Sequence, residues 1–216
     1  RIKEFEGETA GGGNAISVAL KKISLLKTDK DFRNFVISRA LFLCSVLSAP
    51  FFVILAQQQS NSSNYLLGLF ILAGGCADFF SSIIWGKLSD KSSKKAMIRG
   101  ATITSILGFL VYFLDTFYEN IFSTIWIMPL IYFALTIGYQ GIRIGRKTYL
   151  IDLAGGNKRT DYVAVSNSII GFVLLFTGFI GVLSSIIGLN GIILLLAIIG
   201  CIGVYMASKL PYVTSL

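Results

Sequence analysis

Two ionisable side chains lie inside long apolar runs of this 216-residue chain: Arg39 in "SRALFLC" and Asp78 in "GGCADFF". Ionisable groups at such positions are costly and usually functional. A carboxylate can take up and release a proton, and a guanidinium can pair with it or with an anion. Arg39 lies a little over one helical turn inside the boundary of its run, and Asp78 about two turns inside the same face. At ~1.5 Å rise per residue the depths differ by about one turn, which allows a salt bridge between adjacent helices. Two readings stay open. Either Asp78 is a protonatable coupling site, or a switchable partner of Arg39; or Arg39 snorkels to the headgroups and Ser81 or Ser82 satisfies Asp78 locally. Thr136, Tyr139, Gln140, Ser166 and Asn167 add hydrogen-bonding groups to later runs. The candidate substrate or coupling residues are therefore Arg39, Asp78, Gln140 and Asn167.

Other chemistry is excluded early. The chain has no histidine, which removes Ser–His and Cys–His nucleophile pairs, histidine zinc sites and histidine-ligated haem. Cys44, Cys76 and Cys201 sit in apolar segments without CxxC spacing and read as small hydrophobes. "GIRIGRKT" sets three residues between its glycines where a phosphate cradle needs four. The runs hold no clustered carboxylates. These features argue against an enzyme and imply no cofactor and no metal.

The elements that position Arg39 and Asp78 follow from composition. The chain is 54% hydrophobic with a mean hydropathy of +0.74, and only 14% charged, against about 25% in soluble domains. A bilayer core needs roughly 20 apolar residues per helix, and six segments meet that length: Phe35–Ala56, Tyr65–Trp85, Ala96–Phe117, Phe122–Ile142, Tyr162–Ile187 and Leu189–Ala207. The last two are separated only by "GLNG". Pro50 and Pro129 are expected to interrupt the first and fourth spans, and Gly171, Gly178 and Gly181 to allow close helix approach in the fifth.

The net charge of +8 does not indicate nucleic acid, because the basic residues lie in short segments beside apolar runs. Lys and Arg populate the N-terminal segment, the second-to-third loop and the fourth-to-fifth loop, the last holding Arg143, Arg146, Lys147, Lys158 and Arg159. "QQQSNSSN" and "DTFYEN" contain none. The positive-inside rule then makes both termini and the basic loops cytoplasmic, in a multipass protein of the cell inner (plasma) membrane. "GETAGGGNA" reads as a linker, and "AISVALKKISLLK" as either a helix on the membrane surface or a solvated connector. Residues 1–33 form the cytoplasmic linker, 34–210 the bundle and 211–216 the tail. With Arg1 first and no signal-peptide core, the chain reads as part of a longer polypeptide.

"GKLSDKSSKK" joins the second and third spans. In this setting it resembles the signature loop of the major facilitator superfamily of secondary transporters, Gly-x-x-x-Asp-(Arg/Lys)-x-Gly-(Arg/Lys)-(Arg/Lys). Gly86, Asp90, Lys91, Lys94 and Lys95 match, while Ser93 stands where the family prefers Gly. Gly86 would let helices approach and Asp90 would accept hydrogen bonds from a helix N-terminus. The resemblance implies an all-α fold: six transmembrane helices, two inverted three-helix repeats, forming the C-terminal half of a transporter with alternating access. It also implies that the loop latches the two halves. The implied partners are membrane lipids, the N-terminal six-helix half, a small-molecule substrate and protons, with no nucleic acid. A six-span scaffold, or a half-size homodimer without transport, remains the alternative.

Overall fold

Asp29 opens the first long helix: its backbone is extended, and its side chain accepts from the Phe32 amide at 2.9 Å, satisfying a donor that the helix itself leaves free. This is a computed structural model, describing residues 24–59, 63–118, 121–155 and 158–213. Among them the chain forms α1 (Leu25–Thr28), α2 (Lys30–Val46), α3 (Ser48–Gln59), α4 (Ser63–Lys91), α5 (Ser93–Phe117), a 3-10 turn (Ile121–Ser123), α6 (Ile127–Leu153) and α7 (Arg159–Ser208). Five stretches are long and apolar enough to cross a membrane: Lys30–Gln59 (α2 and α3 together), Tyr65–Lys91, Ser93–Phe117, Ile127–Leu153 and Arg159–Ser208.

The fifth stretch is 50 residues long and is broken at Gly188, whose φ of 76° and ψ of 168° lie in a region open essentially to glycine alone. A straight helix would set Tyr162 and Ala207 roughly 70 Å apart, yet both pack into one buried cluster with Phe32, Phe35 and Tyr149. The chain therefore doubles back at Gly188, giving α7a (159–187) and α7b (189–208). A second cluster, around Phe52, Phe70, Phe122 and Met128, fills the opposite end of the bundle.

Small residues set how closely the helices approach. A Cβ on Gly100 of α5 would stand 2.5 Å from the Gly138 carbonyl of α6, and one on Gly145 would stand 2.5 Å from the Met97 amide. Trp85 of α4 closes over Gly141 and donates its Nε1–H to the Ile137 carbonyl at 2.7 Å. On the other side of α5, Gly108 meets Ala197 of α7b, and Gly203 meets Phe42 of α2. Ser45, Thr104 and Ser105 are buried there, with the Ser45 and Thr104 hydroxyls bonded at 3.3 Å.

Several expectations are corrected. Pro50 has no N–H for the Val46 carbonyl, and the first span does break there, at Leu47 between α2 and α3. Pro129 interrupts nothing: it sits in the first turn of α6, where its missing N–H would have been unpaired anyway. That helix starts at Ile127 rather than Phe122 and runs on to Leu153, so Arg143, Arg146 and Lys147 are helical, not in a loop. Gly86, Gly171, Gly178 and Gly181 face open space instead of a close neighbour. The 15–27 segment is described only from Ser24 onward, where it forms α1; most of its amphipathic face lies outside the described residues.

Candidate functional site

The four candidate residues come together as two pairs, neither of them Arg39 with Asp78. Arg39 donates through Nη1 to Ser166 Oγ (2.6 Å) and through Nη2 to Asn167 Oδ1 (2.8 Å), both on α7a. The Asp78 carboxylate accepts instead from Gln140 Nε2 across α4 and α6. The Arg39–Asp78 salt bridge does not form, because α2 packs on α7 while α4 packs on α6. Local satisfaction by serine fails as well: Ser82 donates to the Phe79 carbonyl, and the Ser81 hydroxyl is buried without a partner.

Each pair borders open space. Asp78 and Gln140 line a cavity of about 390 Å³ with Tyr132, Thr136, Tyr139 and Arg143, reaching Val46 and Ala49. Asp78, Gln140 and Arg143 also border a second of about 250 Å³, with Ser81 and Ser82. Arg39 and Asn167 line a third of about 270 Å³ with Arg146 and Lys147. Arg143 and Arg146 were missed because basic residues beside an apolar run read as loop. Their helical spacing was the available signal: Tyr139, Arg143, Arg146 and Leu150 recur on one face of α6. Asp115, expected in a polar loop, instead ends α5 and accepts from Gln59 of α3 and Asn190 of α7b. It ties three helix ends together beside Gly188.

The "GKLSDKSSKK" segment is almost wholly helical. α4 runs to Lys91 and α5 begins at Ser93, leaving Ser92 as the only non-helical residue between them. Ser92, not Asp90, caps α5, its hydroxyl accepting from the Lys95 amide at 3.3 Å; Asp90 is exposed. Lys94 is buried, and its ammonium donates to the Ser208 carbonyl at 2.8 Å and to the Leu210 carbonyl. A cation there complements the negative end of α7b. Tyr212 lies under Lys94 at 4.3 Å, and Tyr149 donates to the Pro211 carbonyl at 3.0 Å. Ser89 and Ser93 reach Thr148 and Asp152 at the end of α6. The segment thus clamps the C-terminal ends of α6 and α7 within this chain. Lys94→Met keeps the stem but strands two carbonyls, and is expected to cost about 2 kcal/mol, read by SDS-titrated unfolding together with faster proteolysis after Ser208.

A second fastening joins α2 to α7a. The Tyr162 hydroxyl donates to Asp29, and the rings of Tyr162 and Phe32 lie 4.2 Å apart. Burial pushes the Asp29 carboxyl up, but the Phe32 amide, the Tyr162 hydroxyl, the Asp31 amide and the Lys158 charge outweigh it, so it titrates below its ordinary 3.8. A depressed carboxyl contributes stability above its unfolded-state value and loses it as pH falls through the folded one. Asp29→Ala should therefore cost about 1 kcal/mol at neutral pH, and the gap should close below about pH 4 when both proteins are unfolded across a pH series.

The family model described as Major Facilitator Superfamily matches residues 15–214, nearly the whole sequence. No curated protein and no solved structure matches the chain.

Proposed function

The chain belongs to the Major Facilitator Superfamily, and from that premise we propose that it is the C-terminal half of a secondary transporter that moves a small solute by alternating access. One observation carries this reading: Asp78, Gln140 and Arg143 sit on apolar helices yet border open cavities rather than being sealed in the core. Groups of this kind at membrane depth mark substrate or ion pathways. Six spans arise when the doubling-back at Gly188 is counted as a membrane reversal. Basic residues gather at the Lys94 and Arg159 end and Asp115 marks the other, a distribution that supports the reading of both termini as cytoplasmic.

One apolar face of α7a is open to lipid or to a partner. Phe172, Leu175, Phe176, Phe179 and Ile186 of α7a are 54% to 76% exposed, and Gly171, Gly178 and Gly181 on that helix meet nothing. Exposed apolar surface of this extent faces lipid or another protein, and an N-terminal six-helix half would cover part of it. The scaffold alternative has no use for a polar cavity. Reconstituting the full-length protein in liposomes and screening solute uptake, with and without a proton gradient, tests the proposal. Saturable uptake supports it; a screen in which no solute enters faster than into empty liposomes opposes it.

A further inference from the structure

We propose that Arg39 and Arg146 form an anion site, built for a carboxylate or phosphoryl group, in the cavity between α2, α6 and α7a. Arg39 sits nine residues past the start of α2 at Lys30 and uses its terminal nitrogens on neutral acceptors, the Ser166 hydroxyl and the Asn167 carbonyl oxygen. Its Nε is buried without a partner. Those bonds orient the guanidinium but leave its charge uncompensated. Held to α7a on both terminal nitrogens, the side chain does not snorkel.

Arg146 brings a second guanidinium to the same cavity. Lys147 stands exposed at the rim. Asp152, the acid nearest to Arg146 along α6, is engaged by Ser93. Among the described residues no carboxylate pairs with Arg39 or Arg146. Two like charges lining one cavity are unfavourable unless an anion balances them, and a planar guanidinium matches the two oxygens of a carboxylate or phosphate.

The cavity volume limits the ligand. At about 270 Å³ it falls just below the clefts of about 300–1,000 Å³ that hold drug-sized molecules. Leu150, Ile151 and Val163 supply its apolar wall. A small organic or inorganic anion fits, as does the phosphate of a lipid headgroup entering from the membrane. As a substrate class the free anion rests on the transporter reading, but binding itself does not.

The test uses the full-length protein in phosphatidylcholine nanodiscs, with inorganic phosphate titrated against potassium chloride of matched ionic strength, and thermal unfolding as readout. Arg146 makes no hydrogen bond among the described residues, so Arg146→Gln is expected to fold. Arg146→Lys, which keeps the charge, controls for packing. A free-anion site predicts a saturable phosphate-dependent rise in Tm, a midpoint about ten-fold higher for Arg146→Gln, and a smaller shift for Arg146→Lys. A headgroup site predicts that phosphatidylglycerol in the discs raises Tm of the unsubstituted protein but not of Arg146→Gln, with no further rise from phosphate. The proposal is overturned if neither anion source acts beyond matched chloride, or if Arg146→Gln responds as the unsubstituted protein does. No transport step enters the readout, so a protein that takes up solute without any anion response loses this site and keeps the transporter reading.

Discussion

Replacing Gly100 with alanine is expected to destabilise the bundle by about 3 kcal/mol, at the upper end of what overpacking ordinarily costs. The added Cβ would stand 2.5 Å from the Gly138 carbonyl and 2.7 Å from the Ile142 amide. Both are backbone atoms, so no rotamer change relieves the clash, and α5 and α6 must separate. That separation spreads: Gly145 against Met97 and Trp85 over Gly141 rely on the same spacing, as does the Trp85 bond to Ile137. Gly178 provides the contrast, since its added Cβ meets nothing within the chain. Gly178→Ala should change unfolding by less than about 0.5 kcal/mol when both variants are titrated with SDS. A Gly100→Ala protein as stable as the parent would show that the α5–α6 seam is not packed as described. A large cost at Gly178 in the full-length protein would show that another surface rests on α7a.

Asp78→Asn is expected to lower uptake by the full-length protein at least about ten-fold while leaving it folded. The magnitude follows from losing one charge-assisted interaction, worth about 1.5–3 kcal/mol, at a group bordering two cavities. Asparagine has nearly the same shape, and its carbonyl can still accept from Gln140 Nε2, so the α4–α6 contact survives. Only the charge, and any proton it carries, is removed. Gln140 is 8% exposed, and Asp78→Leu would leave its amide without an acceptor. Leucine is therefore predicted to lower both stability and uptake, and asparagine uptake alone. Uptake unchanged in Asp78→Asn would take Asp78 out of the transport step and reduce it to a packing group.

Much of this was legible in the residues, for reasons that differ by feature. Apolar length located the helices, because a bilayer-length apolar run has few other uses. "GLNG" marked the reversal, since only glycine adopts the backbone at Gly188 without strain. Arg39, Asp78, Gln140 and Asn167 stood out by polarity against their surroundings, and each borders a cavity. Which of them touch was not legible: depth along a helix says nothing about which helices are neighbours, and Arg39, within about one turn of the depth of Asp78, faces α7a instead. Charge also misled at the end of α6, where Arg143 and Arg146 are helical. Asp90 in the signature loop looked like the helix cap, but Ser92 holds the extended backbone that a cap needs. Lys94 read only as a match to the signature loop, and its burial against the last turn of α7b depends on a contact between residues more than a hundred positions apart.

Cysteine accessibility in intact cells tests most directly whether α7 crosses the bilayer twice with the basic end inside. On a background lacking Cys44, Cys76 and Cys201, Ile187→Cys, beside the reversal, is predicted to react with a membrane-impermeant maleimide from outside. Lys95→Cys is predicted to react only after permeabilisation. Labelling of Lys95→Cys from outside, or of Ile187→Cys only from within, would contradict the topology from which the transporter reading follows.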